Sequence, residues 1–225
     1  MRLLMPVLVS LVFATVPAVA PPLSAQPLQS GWIADVRTGC RVWNAAAAPN
    51  ESITWSGACS NGVAHGRGVL QWFQNGKPRD RNEGEYRDGR MNGRAVSTSP
   101  SGNRYEGEYR DGKPNGYGIF TTANGLRYEG EWRDGSQNGR GTSTSKNGDR
   151  YEGEWRDGKR SGQGVNLMAN GNRYAGEFLD SRAHGLGTLV APDGDVYKGT
   201  WTNGCFQQGN RRAVVGATAK ECGFE

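Results

Sequence analysis

The chain is expected to fold as an all-β protein, a single elongated twisted sheet of tandem β-hairpins with about six to seven repeats. Three observations predict it. The stretch Arg127-Tyr128-Glu129-Gly130-Glu131-Trp132-Arg133-Asp134-Gly135 recurs, with near-identical copies beginning at Tyr105 and Tyr151 and weaker ones at Asn82, Tyr174 and Tyr197. Successive starts lie about 23 residues apart, a period that signals stacked supersecondary units. A more degenerate copy begins at Trp55. Within a unit the side chains alternate: Tyr105, Gly107 and Tyr109 fall on one strand face, and Arg104, Glu106, Glu108 and Arg110 on the other. Thirty-five glycines with only 35% hydrophobic residues are too little apolar material for a large globular core, and a single sheet needs less.

One unit explains its own residues. After the first strand, Asp111-Gly112 supplies turn chemistry, and Gly116-Tyr117-Gly118-Ile119-Phe120 runs back as the second strand. Asn124-Gly125 leads into the next unit. Glycine weakens a strand interior, so the recurrence of Gly107, Gly116 and Gly118 suggests room for a ring from a neighbouring hairpin. Val69, Val96, Ile119, Thr142, Val165 and Thr188 hold one equivalent return-strand slot and are all β-branched, with parity opposite to the adjacent glycines. Both faces of that strand are therefore expected to be partly covered.

These residues resemble the MORN (membrane occupation and recognition nexus) repeat, with its Tyr-x-Gly-x-Trp strand and Gly-x-Gly return. The resemblance covers about 55 to 209, with the strand glycine present each time as Gly57, Gly84, Gly107, Gly130, Gly153, Gly176 and Gly199. Departures gather at the ends: Trp55 and Asn82 replace the leading tyrosine, Cys59 the second aromatic, and Gln208-Gly209 shifts the return glycine by one. Ser181 in a turn-glycine slot and Ala95 in a Gly-x-Gly slot are the interior exceptions. Irregular outer units suit capping repeats. The leading segment also resembles some exported bacterial members of the family, which implies no activity.

The expected organisation is a leader at 1–25, an N-terminal disulfide-tied cap at 26–54, the array at 55–204 and a C-terminal cap at 205–225. Arg2 followed by an apolar run from Leu3 to Val16 and small residues reads as a secretory signal, cleaved after Ala20 or Ala25. The mature chain is then expected to be periplasmic or extracellular. Export favours disulfides for the four cysteines. Six to seven hairpins at a strand spacing of roughly 4.8 Å span about 60 Å, so cysteines at opposite ends cannot meet. That leaves Cys40 with Cys59 and Cys205 with Cys222, each contributing on the order of 3 kcal/mol. Both bridges tie flanking segments over the open sheet edges. Gln74-Asn75-Gly76-Lys77-Pro78 is expected to form a longer turn.

No catalytic constellation stands out, because the prominent polar groups repeat in every unit. Glu106 with Glu108, Glu129 with Glu131 and Glu152 with Glu154 are read as partners in cross-strand ion pairs rather than as acid-base couples. His65 and His184 are placed as turn residues too far apart to share a substrate or metal. No cofactor, metal or nucleic acid is expected, and the net charge of +5 is spread among alternating signs. The chain is read as a non-enzymatic scaffold for protein contacts, with open sheet edges that would permit a homodimer. Phospholipid and glycan binding are the alternatives. The candidate surface comprises Tyr105, Tyr109, Tyr128, Trp132, Tyr151 and Trp155 with Arg110, Arg133 and Arg156. Each of those arginines precedes an aspartate, Asp111, Asp134 or Asp157, which offsets attraction to anionic headgroups.

Overall fold

The computed structural model describes residues 31–224, so the expected leader at 1–25 lies outside the described residues. Every regular element among the described residues is a strand. The chain opens with β1 (Trp32–Ala34), β2 (Arg41–Trp43), β3 (Glu51–Trp55) and β4 (Ala58–Ser60), followed by β5 (Val63–Gln74), β6 (Lys77–Arg87) and β7 (Arg90–Thr98). The regular array continues through β8 (Arg104–Arg110), β9 (Lys113–Thr121), β10 (Arg127–Arg133), β11 (Ser136–Thr144), β12 (Arg150–Arg156) and β13 (Lys159–Leu167). It closes with β14 (Arg173–Leu179), β15 (Arg182–Val190) and β16 (Val196–Trp201). These form one 16-stranded sheet in which each strand from β5 to β16 pairs antiparallel with the next, while β17 (Cys205–Gln208) and β18 (Arg211–Val214) make a separate hairpin.

Local chemistry sets the two ends of each hairpin. Asp111 and Gly112 take φ of 50° and 82°, the left-handed pair that a two-residue hairpin turn requires. The turn also staples neighbours together: the Gly112 N–H donates to the Met91 carbonyl at 2.9 Å, and Gly135 repeats the bond to Pro114. At the opposite end Thr122 N–H donates to the Leu126 carbonyl at 2.8 Å, closing a compact loop into the next unit. Asn75-Gly76 makes a tight turn rather than the longer one expected. The extra residues there extend β5 and β6, because their backbone groups continue the ladder from Gln71↔Arg81 to Gln74↔Lys77.

A bulge recurs in the hairpins. On β8 and β9, Gly107 faces Gly118 and then Tyr109 faces Pro114, so the return strand carries extra residues between those pairs. Gly116 sits there at φ 105°. His65 and His184 lie within β5 and β15 at the neighbouring position, not in turns, because the return strand starts before the bulge.

The two larger apolar clusters lie toward the ends, and a smaller one, of Ala95, Tyr105 and Tyr109, lies between them. Ile33, Val42, Ile53, Trp55 and Leu70 bury one cluster, and Phe178, Leu189, Trp201, Phe206 and Val215 another. Disulfides join Cys40 to Cys59 and Cys205 to Cys222. At the N-terminal end the buried Asp35 carboxylate accepts the Arg37 and Trp55 N–H groups at 2.9 and 2.8 Å. The Arg37 guanidinium adds an ion pair at 2.9 Å and, with those amides, holds the carboxyl down to about 2. Nothing in the repeat pattern marks Asp35.

Candidate interaction surface

The array has two unlike faces, and alternation along each strand assigns every side chain to one of them. On the first, Tyr105 lies over the facing glycines of its own hairpin. A Cβ added at Gly107 would come within 2.7 Å of its Oη, and one at Gly118 within 2.5 Å of its Cζ. The hydroxyl donates to the Glu108 carbonyl at 3.2 Å. Tyr128, Tyr151 and Tyr174 repeat this bond to Glu131, Glu154 and Glu177 at 2.9, 2.9 and 3.0 Å. In the first unit Trp55 stands in: its indole N–H donates to the Ala58 carbonyl at 2.9 Å while the ring covers Gly57 and Gly68. The expectation that the glycines make room for a neighbour's ring is thereby corrected. They chiefly admit the ring of the same unit, because the strand residue two positions before the glycine shares its face and reaches across the pair.

The second aromatic links units. Trp132 meets Tyr128 of its own unit at 5.3 Å and Tyr105 of the preceding unit at 5.1 Å, and its indole N–H donates to the Gly118 carbonyl at 3.3 Å. Trp155 does the same with Tyr151, Tyr128 and Gly141, and Trp201 with Tyr174 and Gly187. Nearly every contact is edge-to-face, the favoured arrangement for ring quadrupoles. Burial pushes the phenols of Tyr105, Tyr128 and Tyr151 up, and that of Tyr174 to about 12. Arg160 lies 5.5 Å from the rings of both Tyr151 and Phe178 and donates to the Ser181 carbonyl.

Six of the candidate surface residues are therefore committed internally. Tyr105, Tyr109, Tyr128 and Tyr151 are buried, and Trp132 and Trp155 half-buried in the zipper, so they do not form an open ring platform. Arg110, Arg133 and Arg156 are exposed beside the hairpin turns, and among the described residues only Arg110 of the three reaches an acid, Asp134 at 3.9 Å.

The opposite, outer face carries the charges in rows. Glu83, Val96, Glu106, Ile119, Glu129, Thr142, Glu152 and Val165 face one another from strand to strand. This resolves the parity of the return strand: its glycine side is covered by a ring and its β-branched side is flanked by glutamates. The glutamates do not form the cross-strand ion pairs expected. Arg104 pairs with Glu106 at 2.6 Å along one strand, and Arg127 with Glu129 likewise, because residues two apart on a strand share a face. The second glutamate serves the bulge: Glu131 accepts the Arg140 N–H at 2.9 Å, and Glu154 and Glu177 accept those of Gln163 and Leu186 at 3.1 Å. Tyr117 is half exposed on this face and donates to Glu129 at 2.7 Å.

Two grooves run over the glycine backbones of the outer face. One of about 640 Å³ is lined by Arg67, Arg94, Val96, Glu106, Tyr117 and Ile119. Another of about 670 Å³ is lined by Gln163, Val165, Glu177, Leu186, Thr188 and Lys198. Among the described residues no group of three or more His, Cys, Asp or Glu side chains is placed to hold a metal ion.

The MORN repeat matches six segments of the sequence, at 57–77, 83–104, 105–127, 128–150, 151–173 and 174–196, together more than half of the chain. The chain belongs to the MORN repeat family. MORN repeat proteins are typically non-enzymatic repeat modules. The copy beginning at Tyr197 falls outside the matched segments, although β16 extends the sheet. No curated protein matches the chain. Among solved structures, the TCP domain of SAS-4 (dCPAP) of Drosophila melanogaster, in complex with a proline-rich motif of Ana2 (dSTIL), is similar at 16% identity. The match covers 81% of this chain and 99% of that one with a TM-score of 0.38, too distant to carry an argument.

Proposed function

We propose that this chain is an exported scaffold whose outer face contacts other proteins. One observation carries the reading: the ring face is spent on joining hairpin to hairpin, whereas the outer face presents rows of charged and β-branched side chains around two grooves. A repeated rigid surface of this kind binds by many modest contacts and needs no moving part. Four guanidiniums, Arg81, Arg104, Arg127 and Arg150, already hold Glu83, Glu106, Glu129 and Glu152, which weighs against attraction to anionic lipid. Four of the six candidate rings are buried, which weighs against stacking on sugars. Both disulfides suit an oxidising compartment.

A photo-crosslinking residue placed at Tyr117, in the first groove, tests this reading when the protein is irradiated in the exported fraction. Discrete heavier species are expected from position 117 and none from Asn147, in a loop. Absence of protein adducts at 117, or binding to liposomes at low salt instead, would count against it.

A further inference from the structure

The last unit begins like the others and is left half built. Its strand β16 pairs with β15 through Val190↔Val196, Thr188↔Lys198 and Gly187↔Gly199, and the Asn203-Gly204 turn has φ of 50° and 90°. In every complete unit a return strand would then run back along the outer edge. Here only the bridge Thr202↔Cys205 forms before β17 leaves to pair with β18. Phe206 packs on Trp201 at 5.2 Å, the Cys205–Cys222 bond holds the segment, and the return glycine, Gly209, comes one residue late. The outer edge from Val196 to Thr200 has no strand partner among the described residues.

A second observation sits beside that edge. One row of the outer face loses its acids over the last units, while Glu177 stays on that face in β14. The row that holds Glu83, Glu106, Glu129 and Glu152 continues as Ala175 and then Lys198. The row of Arg104, Thr121 and Arg127 ends in Val190 and Val196, and Leu186 below them is 67% exposed. Lys198 is exposed and makes no ion pair among the described residues.

We propose that the β16 edge receives an acidic, extended segment of a partner protein as an added antiparallel strand. The register follows from the complete units, where Gly107↔Gly118, Glu106↔Ile119 and Arg104↔Thr121 set what stands opposite each position. The incoming strand places glycine opposite Gly199, a carboxylate opposite Lys198 and a β-branched residue opposite Val196. Its backbone satisfies the edge, and its side chains supply selectivity. A second copy of this chain fits worse: two β16 edges laid antiparallel about their centre set Lys198 against Lys198. The proposal rests on reading the chain as a contact-making scaffold, but it concerns this edge alone, so it can fail while the groove crosslinks at Tyr117 stand.

The test uses the oxidised chain and a synthetic peptide with the central sequence Gly-Glu-Ser-Val, compared with its Gly-Lys-Ser-Val counterpart, by NMR titration with amide exchange. The acidic peptide is expected to slow exchange at 196–200 and to bind roughly fivefold more tightly than the basic one. Lys198→Glu is expected to reverse that preference without altering the rest of the amide spectrum. Equal affinity for the two peptides, no binding at millimolar peptide, or protection confined to other strands would overturn the proposal. So would concentration-dependent protection of 196–200 without peptide, which assigns the edge to a second copy.

Discussion

The second unit and the four that follow it solve one packing problem in different ways. In the later units a tyrosine ring fills the space above two facing glycines. In the second, Asn82 has no ring to offer, and Ala95 replaces the glycine opposite Gly84. A Cβ placed on Gly84 would collide with Ala95 itself, so the methyl occupies part of the volume a ring would take. Trp72 and Ser97 complete the site, with the Asn82 amide accepting the Trp72 indole N–H at 3.0 Å and bonding Ser97 at 2.6 Å. The comparison teaches that the glycines and the tyrosine are one device, and that losing one half is tolerated where the other half changes too.

The largest effect is expected from removing the ring. Tyr128→Ala should cost about 4 kcal/mol in denaturant unfolding, because it opens a cavity and frees the edge-to-face contacts of both Trp132 and Trp155. Gly141→Val should cost about 3 kcal/mol, since its Cβ would enter the space of the Tyr128 ring. Ala95→Gly, at the matching position in the second unit, should cost only about 1 kcal/mol, measured the same way.

The period, the hairpins and the two faces were legible in the sequence, because residues two apart on a strand share a side and Asp111-Gly112 has one favoured turn. Less was legible where a contact joins separated segments. Tyr105 and Gly118 sit on the same face by parity, but parity does not say whether the ring covers its own hairpin or the next. The glutamate roles needed the bulge: only once the return strand is offset does Glu131 reach the Arg140 amide. Asp35 occurs once, in no motif, and its role appears only when Trp55 is brought beside it.

Asp35 gives a test of the irregular end against the regular array. Its carboxyl is held at about 2, below its ordinary 3.8, so the contribution to stability is present above about pH 4 and lost as pH falls toward 2. The N-terminal amides of β1 and β3 should then exchange before those of β10 to β13. Asp35→Asn should remove the pH dependence of that difference and cost about 2 kcal/mol. The buried phenols titrate in the opposite sense. Their raised values stabilise the fold below pH 10, and that contribution is lost as pH climbs, so absorbance titration should show Tyr128 and Tyr174 ionising later than a free phenol. The smallest effect is expected at Tyr86, whose buried hydroxyl has the Asn82 side chain beside it but no well-aligned hydrogen-bond partner among the described residues: Tyr86→Phe should leave stability unchanged or raise it by up to about 1 kcal/mol.

A double-mutant cycle between Tyr128 and Gly141 addresses the pairing of ring and glycine most directly, read by equilibrium unfolding with both circular dichroism and tryptophan fluorescence. Gly141→Ala should cost about 2 kcal/mol in the native background and at least about 1 kcal/mol less when Tyr128 is already alanine. If the methyl costs the same in both backgrounds, the ring does not set the demand for glycine, and the account of how one hairpin locks to the next is wrong.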